Sequence, residues 1–317
     1  VTLQVVPYDP QWLPQLAALA RAHARLVPPW ISLDDEDVQR GLEQHAAWPF
    51  YTPGLEAAEL LLAVDGDQLL AAGQTGMVET GWGYGAAPGD GPDWLHRTHA
   101  SLYWLFCWPG WAQAQHGAAA IAARAVAWTR GEGLPGLEAF RGGPGFLPFG
   151  TQLSRYWPHL WAPLRATGFR QPRMLLVYSG ETDPQGLPAL DPLPPGLALR
   201  QRRGRIEAWW EGDPVGICAG AALEESWARR RGERGGRFAD RRLEEWAVIR
   251  RLVVDSSVRG MGIGSALFAA QLQALAERGF KRYLLHIPDD PQDAPAMRLY
   301  ARFGRLLDAQ HVLRVSF

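Results

Sequence analysis

The chain has 317 residues, with 32 Lys and Arg against 33 Asp and Glu and a formal net charge of −1. Such a length suits two domains, and the near-balanced charge supplies no overall basic field for nucleic acid. An apolar content of 47% supports a sizeable core, but no apolar run reaches the length of a bilayer span and the N-terminus shows no charged-then-apolar leader, so a cytoplasmic protein that engages no membrane is expected.

Along the first half, Leu3 to Val6 reads as a strand. Gln11 to Val27 has the period of an amphipathic helix, with Asp9 as N-cap and Pro10 near the first turn. Asp34 to His45 is a second, short helix. Glu59 to Val64 and Gln68 to Thr75 flank Asp65-Gly66-Asp67, a hairpin signal. Ser101 to Trp108 is an apolar strand, and Gly117 to Arg130 is a helix ending at Gly131 and Gly133. Leu137 to Phe140 is another strand, a helix lies within 152–166, and Met174 to Tyr178 closes the set.

Residues 181–196, ETDPQGLPALDPLPPG, are rich in Pro and Gly and lack periodicity. They read as a linker, semi-rigid where the prolines cluster, between a first domain over 1–180 and a second over 197–317. In the second, a short segment Leu197–Arg200 is followed at once by a hairpin, Arg205 to Glu211 and Val215 to Leu223, around Gly212-Asp213-Pro214. The two tryptophans Trp209 and Trp210 point to opposite faces of their strand, one toward the core and one toward a substrate site. The segment Arg229 to Arg242 is strongly basic; it reads as a loop between strands or as an arginine-lined wall for an acidic ligand.

The two cysteines, Cys107 and Cys218, are far apart in apolar strand-like contexts. They read as buried free thiols, and no metal-ligand spacing occurs, so no metal is expected. Lys281 is the sole lysine, and the 15 tryptophans exceed what one core usually takes.

Chemistry concentrates between Val253 and Gly279. An apolar strand, Ile249 to Val254, ends in a polar turn, and Arg259-Gly260-Met261-Gly262-Ile263-Gly264 then opens an amphipathic helix. Strand, glycine-rich turn and helix N-terminus together make an anion cradle, because exposed N–H groups and the positive helix end converge on one spot. No Gly-Lys-Ser/Thr follows, so this is not a P-loop. The third glycine of a dinucleotide fingerprint is replaced by Ser265, and no acidic residue ends a second parallel strand about 20 residues on.

The stretch resembles motif A of the GNAT acyltransferase superfamily, R/Q-x-x-G-x-G/A after an L-x-V-D strand end. Leu252, Val254 and Asp255 match the strand end, and Arg259, Gly262 and Gly264 match the turn. A second family motif, N-x-x-A-x-x-L-Y-x-x-x-G-F, is met by Asp293, Ala296, Leu299, Tyr300 and Gly304, with Asp for Asn and Arg305 for Phe. The order of elements in the first half is also that of the family, so the chain resembles a tandem of two copies. The implied fold is α/β (α+β): two GNAT-like domains, each a mixed, mostly antiparallel twisted sheet flanked by helices. Aligning the halves puts Gln113, His116 and Ala118 under Arg259, Gly262 and Gly264, and Leu164 under Tyr300. The first copy is therefore expected to be degenerate and non-catalytic.

The resemblance implies acyl transfer from acyl-CoA, chiefly acetyl-CoA as co-substrate, to a primary amine of a small molecule or protein by direct attack. Leu252, Val253 and Val254 would offer backbone groups to the pantetheine arm. Arg259, Gly260, Met261, Gly262, Ile263, Gly264 and Ser265 would hold the pyrophosphate, and Asp293 would stand beside the cofactor. Tyr300 would protonate the departing thiolate. His286 or Glu245, with Glu244 as neighbour, would take the amine proton. The family's two early helices have no room in the second half, so the wall of the acceptor site would come from the first domain or from the loop at 226–242. A non-catalytic acyl-CoA-binding sensor or scaffold is the alternative, and adenylate or dinucleotide binding is a third reading. The acceptor's identity and the oligomeric state are not encoded in these motifs.

Overall fold

The computed structural model of the protein describes residues 3–28, 30, 32–44, 59–79, 98–140, 152–190, 192–223 and 241–317. Contacts divide the chain into two units. The first draws its described residues from Val1–Leu175 and Asp308–Phe317, the second from Leu176–Ala228 and Arg241–Leu307. The basic segment 229–240 lies outside the described residues.

In the first unit, β1 (Gln4–Pro7) leads through a 3-10 turn at Pro10–Trp12 into α1 (Leu13–Ala24). The Asp9 carboxylate accepts from the Gln11 N–H at 2.9 Å, capping that turn as the Asp-Pro pair demands. Three acids, Asp35, Glu36 and Asp37, open α2 (Asp35–Gln44), where they suit the positive end of the helix dipole. Strands β2 (Glu59–Asp65) and β3 (Gln68–Glu79) form the expected hairpin, turning through Gly66 at φ 60°. Next come β4 (Thr98–Cys107), α3 (Ala112–Gly131), β5 (Gly136–Ala139), the short β6 (Leu153–Ser154) and α4 (Trp161–Ala166). Strand order is β1-β2-β3-β4-β5, antiparallel except for the parallel β4–β5 pair. Leu16, Leu19, Trp104, Phe106, Phe140 and Trp157 are fully buried at its centre.

The strand that completes this sheet comes from the far end of the chain. In β13 (Arg305–Ser316), Leu313 to Ser316 pair antiparallel with Ala139 back to Gly136 of β5. Gly136 permits the approach, since a Cβ there would stand 2.6 Å from the Val315 carbonyl oxygen. Residues 308–317 belong to the first unit, held by a ladder that leaves no local mark in the sequence.

In the second unit, β7 (Arg170–Glu181) contributes its residues from Leu176 onward. Then follow β8 (Leu197–Arg202), β9 (Arg205–Trp210), β10 (Asp213–Ala222), β11 (Trp246–Val254), α5 (Ile263–Glu277), β12 (Arg282–Pro288) and α6 (Ala294–Phe303). Strand order is β7-β12-β11-β10-β9-β8. Two-residue turns join β8 to β9 and β9 to β10; Arg203-Gly204 and Glu211-Gly212 both have positive φ throughout, the geometry that matches strand twist. Arg203-Gly204 is all that separates β8 from β9, so this unit has no helices at that point. The stretch that reads as a semi-rigid linker has bonds to this unit. Asp183 caps a 3-10 turn at Pro184–Gly186, and the Trp210 indole N–H donates to the Pro195 carbonyl at 3.0 Å.

Among the described residues no helix is long and apolar enough to cross a membrane. Cys107 and Cys218 are buried free thiols, and burial pushes Cys107 up to about 12.

Candidate functional site

The parallel strands β11 and β12 pair only at their beginnings, Trp246–Val248 against Arg282–Leu284. A β-bulge explains why they part. On the other side of β11, Ala219 pairs with Arg251 and Gly220 with Ile249, so Arg250 is the extra residue and bends the strand. From there to Val254, β11 stays paired with β10 while its opposite edge has no partner in β12. In an antiparallel pair every second residue turns its backbone groups to its partner, and the Asp255–Val215 bond sets the phase: Val253 bonds to Ile217 of β10, while Leu252 and Val254 turn their groups to the edge that β12 leaves, where an extended, amide-bearing ligand can pair.

The turn after β11 is fixed at both ends. The Asp255 N–H donates to the Val215 carbonyl at 2.9 Å, and its carboxylate accepts from the Ser257 N–H at 2.9 Å and the Ser257 hydroxyl at 2.6 Å. Those Ser257 bonds hold the Asp255 carboxyl below the usual carboxylate range, against the smaller pull of burial and with help from Arg259. The Arg259 side chain reaches back to the Val254 carbonyl at 3.3 Å, and Val258 is buried beneath. Gly260 and Gly262 adopt φ of 84° and 78°, and a Cβ on either would meet nothing within 4 Å. They are glycines for their backbone conformation, and the space beside them is open. Gly262 caps α5 with no side chain bonded to its first turn and no acidic residue within it, so the positive helix end is uncompensated. Met261 is exposed, Ile263 is buried under the turn and Ser265 sits half-buried in the first turn of α5.

Gly264 is set apart from Gly260 and Gly262 by its surroundings. It lies inside α5, and a Cβ there would stand 3.2 Å from Leu299 Cδ1 on α6. Its smallness serves the packing of two helices.

Tyr300 on α6 is 8% exposed, its ring 5.4 Å from Phe268 of α5 and 6.1 Å from Tyr178 of β7. Burial raises its phenol well above the usual value, and Cys218 and Asp293 add to the rise. It is therefore a protonated donor across the physiological range and unsuited to act as a base. Asp293 caps α6 two turns before Tyr300 with no side-chain bond to the helix. Burial, then Asp290, raises its carboxyl.

His286 and Tyr300 belong to opposite faces of the sheet. Tyr283 packs on Phe268 of α5 at 5.4 Å, so alternation along β12 turns Tyr283 and Leu285 toward α5 and His286 away from it. His286 is exposed, on the part of β12 beyond its last pair with β11. Glu245 is not brought to the site. It precedes β11, ion-pairs with Lys281 and stands a whole strand, roughly 25–30 Å, from the turn at Gly260. Glu244 shares that end. Trp209 and Trp210 are both half-buried, Trp209 donating to Glu207 at 3.2 Å.

The motif reading missed two side chains. Tyr283 has a buried hydroxyl without a hydrogen-bond partner among the described residues, against which Gly180 and Gly304 both close: a Cβ on them would stand 2.8 Å and 2.6 Å from that oxygen. Cys218 lies on the α5 face of β10, as do Gly216 and Gly220, close enough to Tyr300 to raise its phenol. Neither carries a local signal, because each is positioned by strand register. In the first unit the strand-to-helix connection is shorter. Residues 108–111 span β4 to α3, against 255–262 between β11 and α5. Gln113, His116 and Ala118, the counterparts of Arg259, Gly262 and Gly264 when the halves are aligned, lie within α3. Among the described residues no group of three or more His, Cys, Asp or Glu could hold a metal ion.

The profile of the Acetyltransferase (GNAT) family matches residues 175–304, which span β11, the glycine turn, α5, β12 and α6. No curated protein matches the chain. Among solved structures, a GCN5-related N-acetyltransferase from Sphaerobacter thermophilus is similar over 99% of this chain and 95% of its own, with TM-score 0.61 and 15% identity. A tandem GNAT protein from the clavulanic acid biosynthesis pathway is similar over 99% and 98%, with TM-score 0.59 and 14% identity. The GCN5-related glucosamine N-acetyltransferase region of a fungal multi-domain GH3 beta-N-acetylglucosaminidase is similar over 99% of this chain and 38% of that one, with TM-score 0.62 and 13% identity. At such identities the likeness is one of fold.

Proposed function

We propose that the GNAT acetyltransferase domain at residues 175–304 moves an acyl group, chiefly acetyl, from acyl-CoA to a primary amine by direct attack. The observation that carries this reading is the parting of β11 from β12 beside an uncapped helix N-terminus. An amide-bearing arm fits the free edge of Leu252–Val254, and a diphosphate fits the open space at Gly260 and Gly262, where the α5 amides point. The amine nitrogen bonds to the acyl carbon, the carbon–sulfur bond breaks, and Tyr300 gives its proton to the leaving sulfur. The attacking amine sheds a proton to water or to His286, which stands on the opposite face of the sheet from Tyr300. Asp293, in the place of the family's asparagine, lies along the same helix as Tyr300.

The first unit is proposed to bind no coenzyme A and to act as a non-catalytic copy. Its short β4–α3 connection supports this, since four residues leave no loop to wrap a diphosphate. A cytoplasmic setting suits acyl-CoA as the donor. The decisive experiment measures acetyl-CoA binding to the full chain by calorimetry, then coenzyme A release with a panel of amines. One site per chain and amine-dependent release are expected; two equivalent sites would overturn the assignment to the second unit. The burial of Tyr300 favours one other reading, a sensor that binds acyl-CoA without turnover, which predicts binding but no release with any amine.

A further inference from the structure

On the second unit's sheet, the face turned away from α5 carries a patch of arginines built by strand register. Gly216 and Gly220 of β10 face α5, where Leu267, Gln271 and Leu275 would meet an added Cβ, so alternation turns Cys218 the same way and Ile217 and Ala219 the other. Register then sets two transverse rows on that face. One runs Arg202, Arg205, Ala219, Arg251 across β8, β9, β10 and β11, and the next runs Arg200, Glu207, Ile217, Val253. All four arginines are exposed.

Four guanidinium groups face one carboxylate. Glu207 is held by Arg205 at 2.6 Å and Arg202 at 3.8 Å, and it accepts from the Trp209 indole at 3.2 Å. Arg200 stacks over Trp209 at 4.6 Å. Burial would raise the Glu207 carboxyl, yet the bonds from Trp209 and Arg205 and the charges of both arginines bring it below its usual value, so the patch already stabilises one anion. Arg251 has no ion pair among the described residues. Its strand is the one that parts from β12, so it borders the gap on the same face as His286. Arg205 and Arg251 flank the small Ala219 with backbones about 10 Å apart, two strand spacings, a span that two long guanidinium arms can close on one anion.

We propose that the acceptor amine itself carries an anionic group, a carboxylate or phosphate, and that Arg251 with Arg205 holds this group while the amine reaches the gap between β11 and β12. This rests on the acyltransferase reading above. A carboxylate or phosphate a few bonds from the amine fits the short distance from Arg251 to the gap edge; a neutral amine leaves the patch unmatched.

The test uses the full chain at saturating acetyl-CoA and follows coenzyme A release with matched amines: amino acids beside their amides, and amino-sugar phosphates beside the unphosphorylated sugars. The anionic member of at least one pair is expected to show kcat/KM about tenfold higher or more, the first pair type reporting a carboxylate and the second a phosphate. Arg251→Gln should remove that advantage by raising KM for the anionic amine, with acetyl-CoA affinity and turnover of the neutral partner within about twofold. Arg251→Lys should restore part of it, and Arg251→Glu should shift preference toward diamines. Equal use of neutral and anionic amines overturns the inference and leaves acyl transfer standing. So does a loss in Arg251→Gln that appears in acetyl-CoA affinity, which would assign the patch to the donor. Acetyl-CoA binding with no release for any amine overturns the acyltransferase reading itself, and this inference with it.

Discussion

His23 Nε2 meets His159 Nε2 at 2.9 Å in the first unit, with His23 fully buried and stacked on Phe106 at 4.2 Å. His23 Nδ1 lies 3.0 Å from the Leu19 carbonyl, so it carries the proton there, and Nε2 accepts from His159. Both rings are thus neutral, each with one N–H placed. Burial is the main cause: it lowers His23 to about 3, only partly opposed by the Leu19 bond, and lowers His159 to about 4.

A base with a depressed folded pKa stabilises the fold above its unfolded value of 6.5, and that stability is lost as pH falls from there toward 4 and 3, where the unfolded chain takes protons the folded chain refuses. Melting followed by tryptophan fluorescence should therefore show a lower midpoint near pH 5 than near pH 7.5. His159→Gln should flatten part of that fall. A midpoint independent of pH over this interval contradicts it.

Tyr300→Phe should lower turnover on the order of a hundredfold and leave the acetyl-CoA Kd nearly unchanged, because the proposed donor site is made of backbone groups of β11 and the turn. Full activity in this variant would make Tyr300 a packing residue of α6.

Gly262→Glu should abolish acetyl-CoA binding in calorimetry while costing the fold only about 1–3 kcal/mol of backbone strain. An added Cβ meets nothing within 4 Å, which leaves room for the carboxylate to enter the space at the α5 N-terminus. Undiminished binding would show that the turn holds no anion.

Glu245→Gln should leave kcat/KM within about twofold and stability within about 1 kcal/mol. Its partner Lys281 is 68% exposed and Glu245 46%, and the pair stands at the wrong end of β11 for the chemistry. A large fall in kcat would return Glu245 to the site.

The glycine turn was readable because its chemistry is local: strand, turn and helix start follow one another in the chain, and the conformations of Gly260 and Gly262 need no distant partner. Tyr300 was readable as part of a helical motif. Glu245 could not be placed from the sequence, which gives the order of residues along β11 but not the distance that separates its two ends. Gly264 looked like its two neighbours, and only Leu299, brought up by α6, distinguishes it. The rows of arginines, the Cys218–Tyr300 proximity and the home of residues 308–317 all depend on which strand lies beside which, and two-residue periodicity carries no record of that.

The pairing of β5 with Leu313–Ser316 also has a consequence for biosynthesis. The first unit cannot finish its sheet when the residues up to α4 have emerged from the ribosome; Gly136–Ala139 must wait, one edge open, until Leu313–Ser316 have followed. The first unit therefore matures only after the second has been made, and a stop codon placed just after α6 would strike hardest at the unit made first.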